Sequence, residues 1–131
     1  SGVICWDADF VVNMRQAGQQ GVDLVVIGAN DWPGINAIHA QMAVFRAIEN
    51  GTAILRQASN GTSVAVDPYG RVKETLPLGR RGQLDVNLPL PIPQTIFARY
   101  GATTSLVFGL MILALALALH YASNRAGRVL D

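Results

Sequence analysis

Gly21-Val22-Asp23-Leu24-Val25-Val26-Ile27-Gly28-Ala29-Asn30-Asp31-Trp32 is the stretch on which the fold turns. Its centre, Leu24 to Gly28, is an unbroken apolar run, the pattern of a strand covered on both faces. Immediately upstream, Asp9 to Gln20 places Phe10, Val11, Met14, Ala17 and Gly18 at helical spacing. Asp7 or Asp9 suits the amino-terminal cap of that helix, and Gly21 suits its stop. Val3 to Trp6 is a further short apolar run. Downstream, Asn36 to Asn50 predicts a second helix with Ile38, Met42, Phe45 and Ile48 along one side and Gly51 closing it. Ala53 to Ala58 returns as a strand. Thr62 to Val66, the turn Asp67-Pro68-Tyr69-Gly70 and Arg71 to Leu76 then form a hairpin, with Pro and Gly where a type I turn wants them. Gln83 to Leu88 alternates apolar Leu84, Val86 and Leu88 with polar neighbours, which predicts one more strand. A β-α-β-α-β opening followed by a β-meander is an α/β fold, a mixed sheet with helices packed on it.

The chain has 131 residues, enough for one modest domain; half are hydrophobic and only 15% are charged. That composition excludes a disordered or collagen-like protein. Ten Lys and Arg against nine Asp and Glu leave a formal charge of +1, which is no footprint for a nucleic-acid binder. A single cysteine forms no internal disulfide, and two histidines 81 positions apart make no zinc site. No metal and no cofactor is expected. The chain opens inside a strand, so more chain is expected before Ser1.

Between Tyr100 and Asn124 there is no Asp, Glu, Lys or Arg. Gly101 to Ala122 is 22 residues, about 33 Å as a helix, enough for a bilayer core of about 30 Å. Tyr100, His120 and Tyr121 flank it where amphipathic rings favour the headgroup level. Arg125 and Arg128 follow the span while Arg80, Arg81 and Arg99 precede it, so positive charge chooses no orientation. The expected organisation is a catalytic part over 1–90, a stiff linker over 91–100 containing Pro91 and Pro93, a membrane helix over 101–122 and a tail over 123–131.

Chemistry begins at Cys5. It ends an apolar strand and precedes Trp6-Asp7 at the mouth of a helix, where a helix amino terminus favours the thiolate and nearby backbone N–H groups favour an oxyanion. Spacing alone leaves two readings open, because a lone cysteine is also among the most commonly buried and inert residues.

Cys5-Trp6-Asp7-Ala8-Asp9-Phe10, then Gly21 to Trp32, then His39 to Val72 resembles the carbon–nitrogen hydrolase (nitrilase) superfamily, over roughly Val3 to Leu88. The most specific part is Arg46-Ala47-Ile48-Glu49-Asn50-Gly51 followed by Arg56 and by Asn60-Gly61-Thr62-Ser63. Within the superfamily the chain is most like the membrane-bound apolipoprotein N-acyltransferase branch, whose approach to the last membrane helix is similar to Thr95-Ile96-Phe97-Ala98-Arg99-Tyr100-Gly101. The resemblance implies the carboxy-terminal half of an α-β-β-α sandwich and a Glu-Lys-Cys centre with Cys5 as nucleophile. It also implies a phospholipid acyl donor, a lipoprotein amine as acceptor and a bacterial inner-membrane location with the catalytic domain outside the cytoplasm.

Trp6 stands where the family more often has Tyr, and Asp7 where it commonly has Glu; both are expected beside the nucleophile. Asn30, Asp31 and Trp32 follow the central strand and are pocket candidates, as is Arg56. Here the family usually has one more residue before the Trp, and Pro33 replaces an aromatic. Arg46 and Glu49 are read as braces for the active-site strands, against the alternative of an ordinary surface pair worth about 0.2–0.5 kcal/mol. His39, placed on the exposed side of its helix start, reads as a structural histidine rather than a base. Glu and Lys of the centre would lie upstream; Lys73, the only lysine, and Glu74 sit in the hairpin as solvated charges. The chain alone is therefore expected to be inactive. The leading expectation is a membrane-bound N-acyltransferase. A membrane-tethered amidase or nitrilase-like hydrolase is the alternative, and a non-catalytic membrane module is a third reading. Oligomeric state is left open.

Overall fold

A computed structural model describes residues 1–90 and 94–127. Pro91, Pro93 and the last residues of the expected tail, 128–131, lie outside these residues. The chain divides into two compact units, Ser1–Arg99 and Tyr100–Asp131.

The first unit carries a five-stranded sheet in the order β1-β2-β3-β4-β5: β1 (Gly2–Ile4), β2 (Leu24–Asn30), β3 (Ala53–Ser59), β4 (Ser63–Val66) and β5 (Val72–Leu76). β1, β2 and β3 are parallel and β3, β4 and β5 antiparallel, so the sheet is mixed as the sequence predicts. Helices α1 (Val11–Gln19) and α2 (Asn36–Asn50) connect the parallel strands. The β2–β3 register sets Val25 beside Ile54 and Ile27 beside Arg56, and these side chains face the helices. Val25, Ile27, Ile54, Val64 and Val66 join Met14, Ala17, Ala43 and Ala47 in one core. Residues of the opposite sheet face are partly open: Ile4 is 74% exposed and Val26 43%.

Both helices stop by glycine chemistry. Gly21 (φ 65°) and Gly51 (φ 66°) take the left-handed turn, and the N–H groups of Val22 and Thr52 reach back to Ala17 and Ala47 carbonyls. The start of the first helix differs from the sequence expectation. Cys5–Asp9 forms a 3-10 turn, and α1 begins only at Val11, with Phe10 at its cap position and no side-chain cap. Asp9 is not a cap because its carboxylate is held elsewhere, by His39.

α2 also turns its faces opposite to the apolar stripe. His39, Ala43, Arg46, Ala47 and Asn50 are buried, whereas Ile38, Phe45 and Ile48 are exposed. Ala43 and Ala47 pack in the core, and the larger buried residues of this face are held by polar partners: His39 by Asp31, Arg46 by Glu49 and Asn50 by the Arg46 carbonyl.

In the hairpin, Asp67 organises the predicted turn. It accepts hydrogen bonds from the Tyr69 and Arg71 backbone N–H groups (2.9 and 3.0 Å) and from Arg71 Nε at 2.7 Å. Gln83 to Leu88 forms no strand, although Leu84, Val86 and Leu88 keep the expected alternation as the half-buried positions. This alternation places apolar side chains without pairing the backbone, and strand formation needs a partner edge as well as a pattern.

Residues 94–99 are docked on the sheet-side helices. Gln94 donates to the Gly18 and Gln19 carbonyls, Thr95 to the Glu49 carbonyl, and Arg15 to the carbonyls of Ala98 and Arg99, both at 3.0 Å. A short helix α3 (Ile96–Tyr100) ends at Gly101, φ 61°. The long helix α4 runs from Thr103 to Gly127. Its stretch Thr103–Tyr121 has mean hydropathy 2.0 and no buried share, and is long and apolar enough to cross a membrane.

Candidate functional site

Cys5 stands at the junction of β1 and the 3-10 turn, half-buried, with φ 48°. A non-glycine residue in that region costs about 1–3 kcal/mol and persists only where its surroundings over-determine it. The expected helix amino terminus does not follow the thiol directly, because α1 starts at Val11. Trp6 and Trp32 stack with centroids 6.0 Å apart, and the Trp6 ring meets His39 edge-on at 5.3 Å. Both indoles are about half exposed, at 47% and 54%. They form an apolar ledge beside the cysteine turn. Asp7 is exposed and its backbone carbonyl accepts a long 3.4 Å contact from Asn13.

Behind that ledge lies a buried polar chain. Arg56 Nη2 contacts both oxygens of Asp31 at 2.7 Å, and Asp31 Oδ1 lies 3.0 Å from His39 Nδ1. The other imidazole nitrogen, Nε2, sits 2.9 Å from Asp9 Oδ2 without a well-aligned hydrogen bond, an ion-pair contact rather than a directed one. Arg56 also donates to the Thr62 carbonyl at 2.9 Å. The chain thus joins the cysteine turn, the loop after β2, α2 and β3.

Burial pushes the Asp9 carboxyl above its ordinary value, against the opposing charges of His39, Arg56 and Arg46. Burial pushes Asp31 upward too, but the hydrogen bonds and charges of Arg56 and His39 outweigh it and hold its carboxyl low. Gly61 lets the β3–β4 connection close over this chain: a Cβ there would lie 2.4 Å from Asp31 Oδ2.

The structure sorts the sequence candidates. Trp6 and Trp32 come together beside Cys5. Asp31 and Arg56 are buried and bound to each other, so neither lines the ledge. Asn30 is exposed and accepts from Asn60 Nδ2 at 3.2 Å. Arg46 is buried, not a surface residue, and meets Glu49 at 2.7 Å on the helix side that packs inward. His39 is buried, not exposed, because two carboxylates hold it. Lys73 and Glu74 are exposed on β5, away from this chain of contacts. Sequence reasoning missed the pairing of Asp9 with His39. The available signal was the spacing of His39 with Ala43, Arg46 and Asn50, a small and polar stripe in helical phase. A separate cavity of about 760 Å³ is lined by Leu55, Arg56, Gln57, Leu76, Arg80 and Leu84 among others; Arg56 borders it and Cys5 does not.

The mixed sheet, its two crossover helices and a cysteine turn at the end of β1 define a carbon–nitrogen hydrolase architecture. The carbon–nitrogen hydrolase family matches residues 1–92, and the chain belongs to that family. It is 34% identical over 118 residues to an apolipoprotein N-acyltransferase of Rhodopseudomonas palustris and 37% over 119 residues to one of Bradyrhizobium diazoefficiens. Each alignment covers 88% of this chain and 22% of the relative, so the chain spans about a fifth of the length of these relatives. Among solved structures, an amidase from Nesterenkonia sp. matches with TM-score 0.56 at 24% identity, covering 60% of this chain and 33% of the amidase. Saccharomyces cerevisiae Nit3, of the nitrilase superfamily, matches with TM-score 0.57 at 18% identity, covering 62% and 34%. These two likenesses speak to the fold.

Proposed function

We propose that the protein carrying this chain is a membrane-bound N-acyltransferase in which Cys5 is the nucleophile. The observation that carries the reading is the left-handed Cys5 at the end of β1, half-buried beside the exposed Trp6–Trp32 ledge. The Cys5 thiolate attacks a phospholipid ester carbonyl; the lysophospholipid alkoxide leaves and takes up a proton, and the acyl group stays on Sγ as a thioester. The terminal amine of a lipoprotein then attacks the thioester, loses a proton to a base and releases the thiolate. The general base and the oxyanion-holding lysine come from outside this chain. Residues 1–90 form part of the catalytic domain, 91–100 lead to the membrane, 101–122 span it and 123–131 form a tail. Asp7, Asn30 and Trp32 border the substrate. The location is the bacterial inner membrane, with the catalytic domain on its extracytoplasmic side.

A nucleophilic cysteine is supported by a relative of the same fold: a variant of the Nesterenkonia amidase, 25% identical with TM-score 0.53, carries the acetamide moiety of fluoroacetamide on its active-site cysteine. The same likeness favours the second reading, an amidase-type hydrolase in which water resolves the thioester. In the full-length protein, incubation with phospholipid and a diacylated lipopeptide yields a triacylated product by mass spectrometry, and Cys5→Ala abolishes both product and thioester adduct. Release of free acid without the triacylated product establishes the hydrolase instead, and an unchanged rate in Cys5→Ala refutes the nucleophile.

A further inference from the structure

The proposed reaction uses Cys5 and leaves the buried chain Asp9–His39–Asp31–Arg56 without a task. An ionised carboxylate oxygen only accepts hydrogen bonds, and a neutral imidazole carries one N–H. His39 presents Nδ1 to Asp31 at 3.0 Å and Nε2 to Asp9 at 2.9 Å, so both ring nitrogens face carboxylate oxygens. Arg56, with two 2.7 Å contacts, keeps Asp31 an acceptor, and the Nδ1 proton goes to it. The Nε2–Asp9 contact at 2.9 Å is an ion-pair contact rather than a directed hydrogen bond. Around His39 the charged groups are Asp9 from the cysteine turn, Asp31 from the loop after β2, Arg56 from β3 and Arg46 with its partner Glu49 from α2. Asp31 is paired with the Arg56 guanidinium, and Arg46 pairs separately with Glu49, so His39 is the side chain that meets Asp9.

Ala8 anchors the cysteine turn in the core, but few polar contacts hold its side chains. Neither Ile4 nor Phe10 provides a side-chain cap, and the Asn13 contact is long at 3.4 Å. Besides buried Ala8, the side chains that tie the turn to the body are Asp9, through its ion pair with His39, and Trp6, packed on His39 and Trp32.

We propose that His39 is a positioning residue which acts through Asp9, holding the Cys5–Asp9 turn so that Cys5 keeps its left-handed conformation and Sγ stays aimed at an incoming electrophile. The role rests on Cys5 being the nucleophile, and the test separates the two ideas. In the full-length protein in detergent, two rates are followed for wild type, Asp9→Ala, His39→Gln and the double variant. One is alkylation of the Cys5 peptide by iodoacetamide, read by mass spectrometry; the other is thioester formation from phosphatidylethanolamine. Each single substitution slows both rates about five- to twentyfold, the loss falls on kcat with KM for the phospholipid within about twofold, and the double variant is no slower than the slower single one. An alkylation rate within about twofold of wild type in Asp9→Ala overturns the proposal, as does a multiplicative loss in the double variant or a loss confined to KM. Should His39→Gln fail to fold, Asp9→Ala decides alone. If wild type forms no thioester from phospholipid while alkylation shows the coupled loss, the acyl-donor reading fails and the positioning role stands.

Discussion

Asp31 is the most exacting place to test the structure. Its side chain is fully covered and takes two 2.7 Å contacts from Arg56 and one of 3.0 Å from His39. In Asp31→Asn one oxygen becomes an NH2 group that faces donors only, and Arg56, at 3% exposure, keeps the Thr62 carbonyl but loses its counter-charge. Removing one partner of a buried pair costs about 3–5 kcal/mol, because a buried charge is left uncompensated. At about 2–4 °C per kcal/mol for a domain of moderate size, the melting temperature falls by about 6–20 °C. Trp6 and Trp32 fluorescence in the full-length protein in detergent reports this unfolding, since the ledge packs on His39. Protonation removes the same charge. Asp31 titrates below its ordinary 3.8 when folded, so the unfolded chain takes up the proton first. The stabilisation is complete above about pH 4 and is lost as pH falls through the lower folded value. Asp9, raised by burial, works in the opposite sense: acidification toward 3.8 relieves its buried charge and adds stability. A variant that melts within about 2 °C of wild type, or that keeps the same acid limb, refutes the reasoning.

Gly18→Val drives a Cβ to 2.9 Å from both Ala98 Cβ and Asn50 Oδ1, and overpacking of this kind costs about 1–3 kcal/mol. It loosens residues 94–99 from α1, and trypsin then cleaves after Arg99 faster than in wild type; an unchanged cleavage rate counts against the docking. Asp67→Asn keeps an acceptor for the two turn N–H groups and gives up only the bond from Arg71, whose side chain is 65% exposed, so the loss is about 1 kcal/mol. A melting curve displaced as far as that of Asp31→Asn contradicts this. Residues 1–131 expressed alone unfold without a sharp transition, because Ile4 and Val26 leave one sheet face open. Cooperative melting with a dispersed amide spectrum overturns that expectation.

Sequence alone determined the elements whose causes are local. Gly21 and Gly51 stop helices because they take a left-handed turn without a Cβ, and Leu24 to Gly28 reads as a central strand because no position in it is polar. The Asp67–Gly70 turn, the limits of α2 and the membrane-length apolar helix followed from the same kind of signal. Motif resemblance pointed to the family before any coordinates.

Tertiary structure alone decided which face of a helix is inside and what each charge meets. Composition makes Ile38, Phe45 and Ile48 the apolar side of α2, yet the helix packs through His39, Ala43 and Arg46, because what a face can bury depends on the polar partners it meets as well as on hydropathy. Asp9 looked like a cap and His39 like a surface residue; they meet only when β2, β3 and α2 have folded, since the contact spans 30 residues of chain and no local pattern encodes it. Gln83 to Leu88 shows the same limit from the other side, for an alternating pattern places side chains but cannot supply the neighbouring strand that its backbone would need.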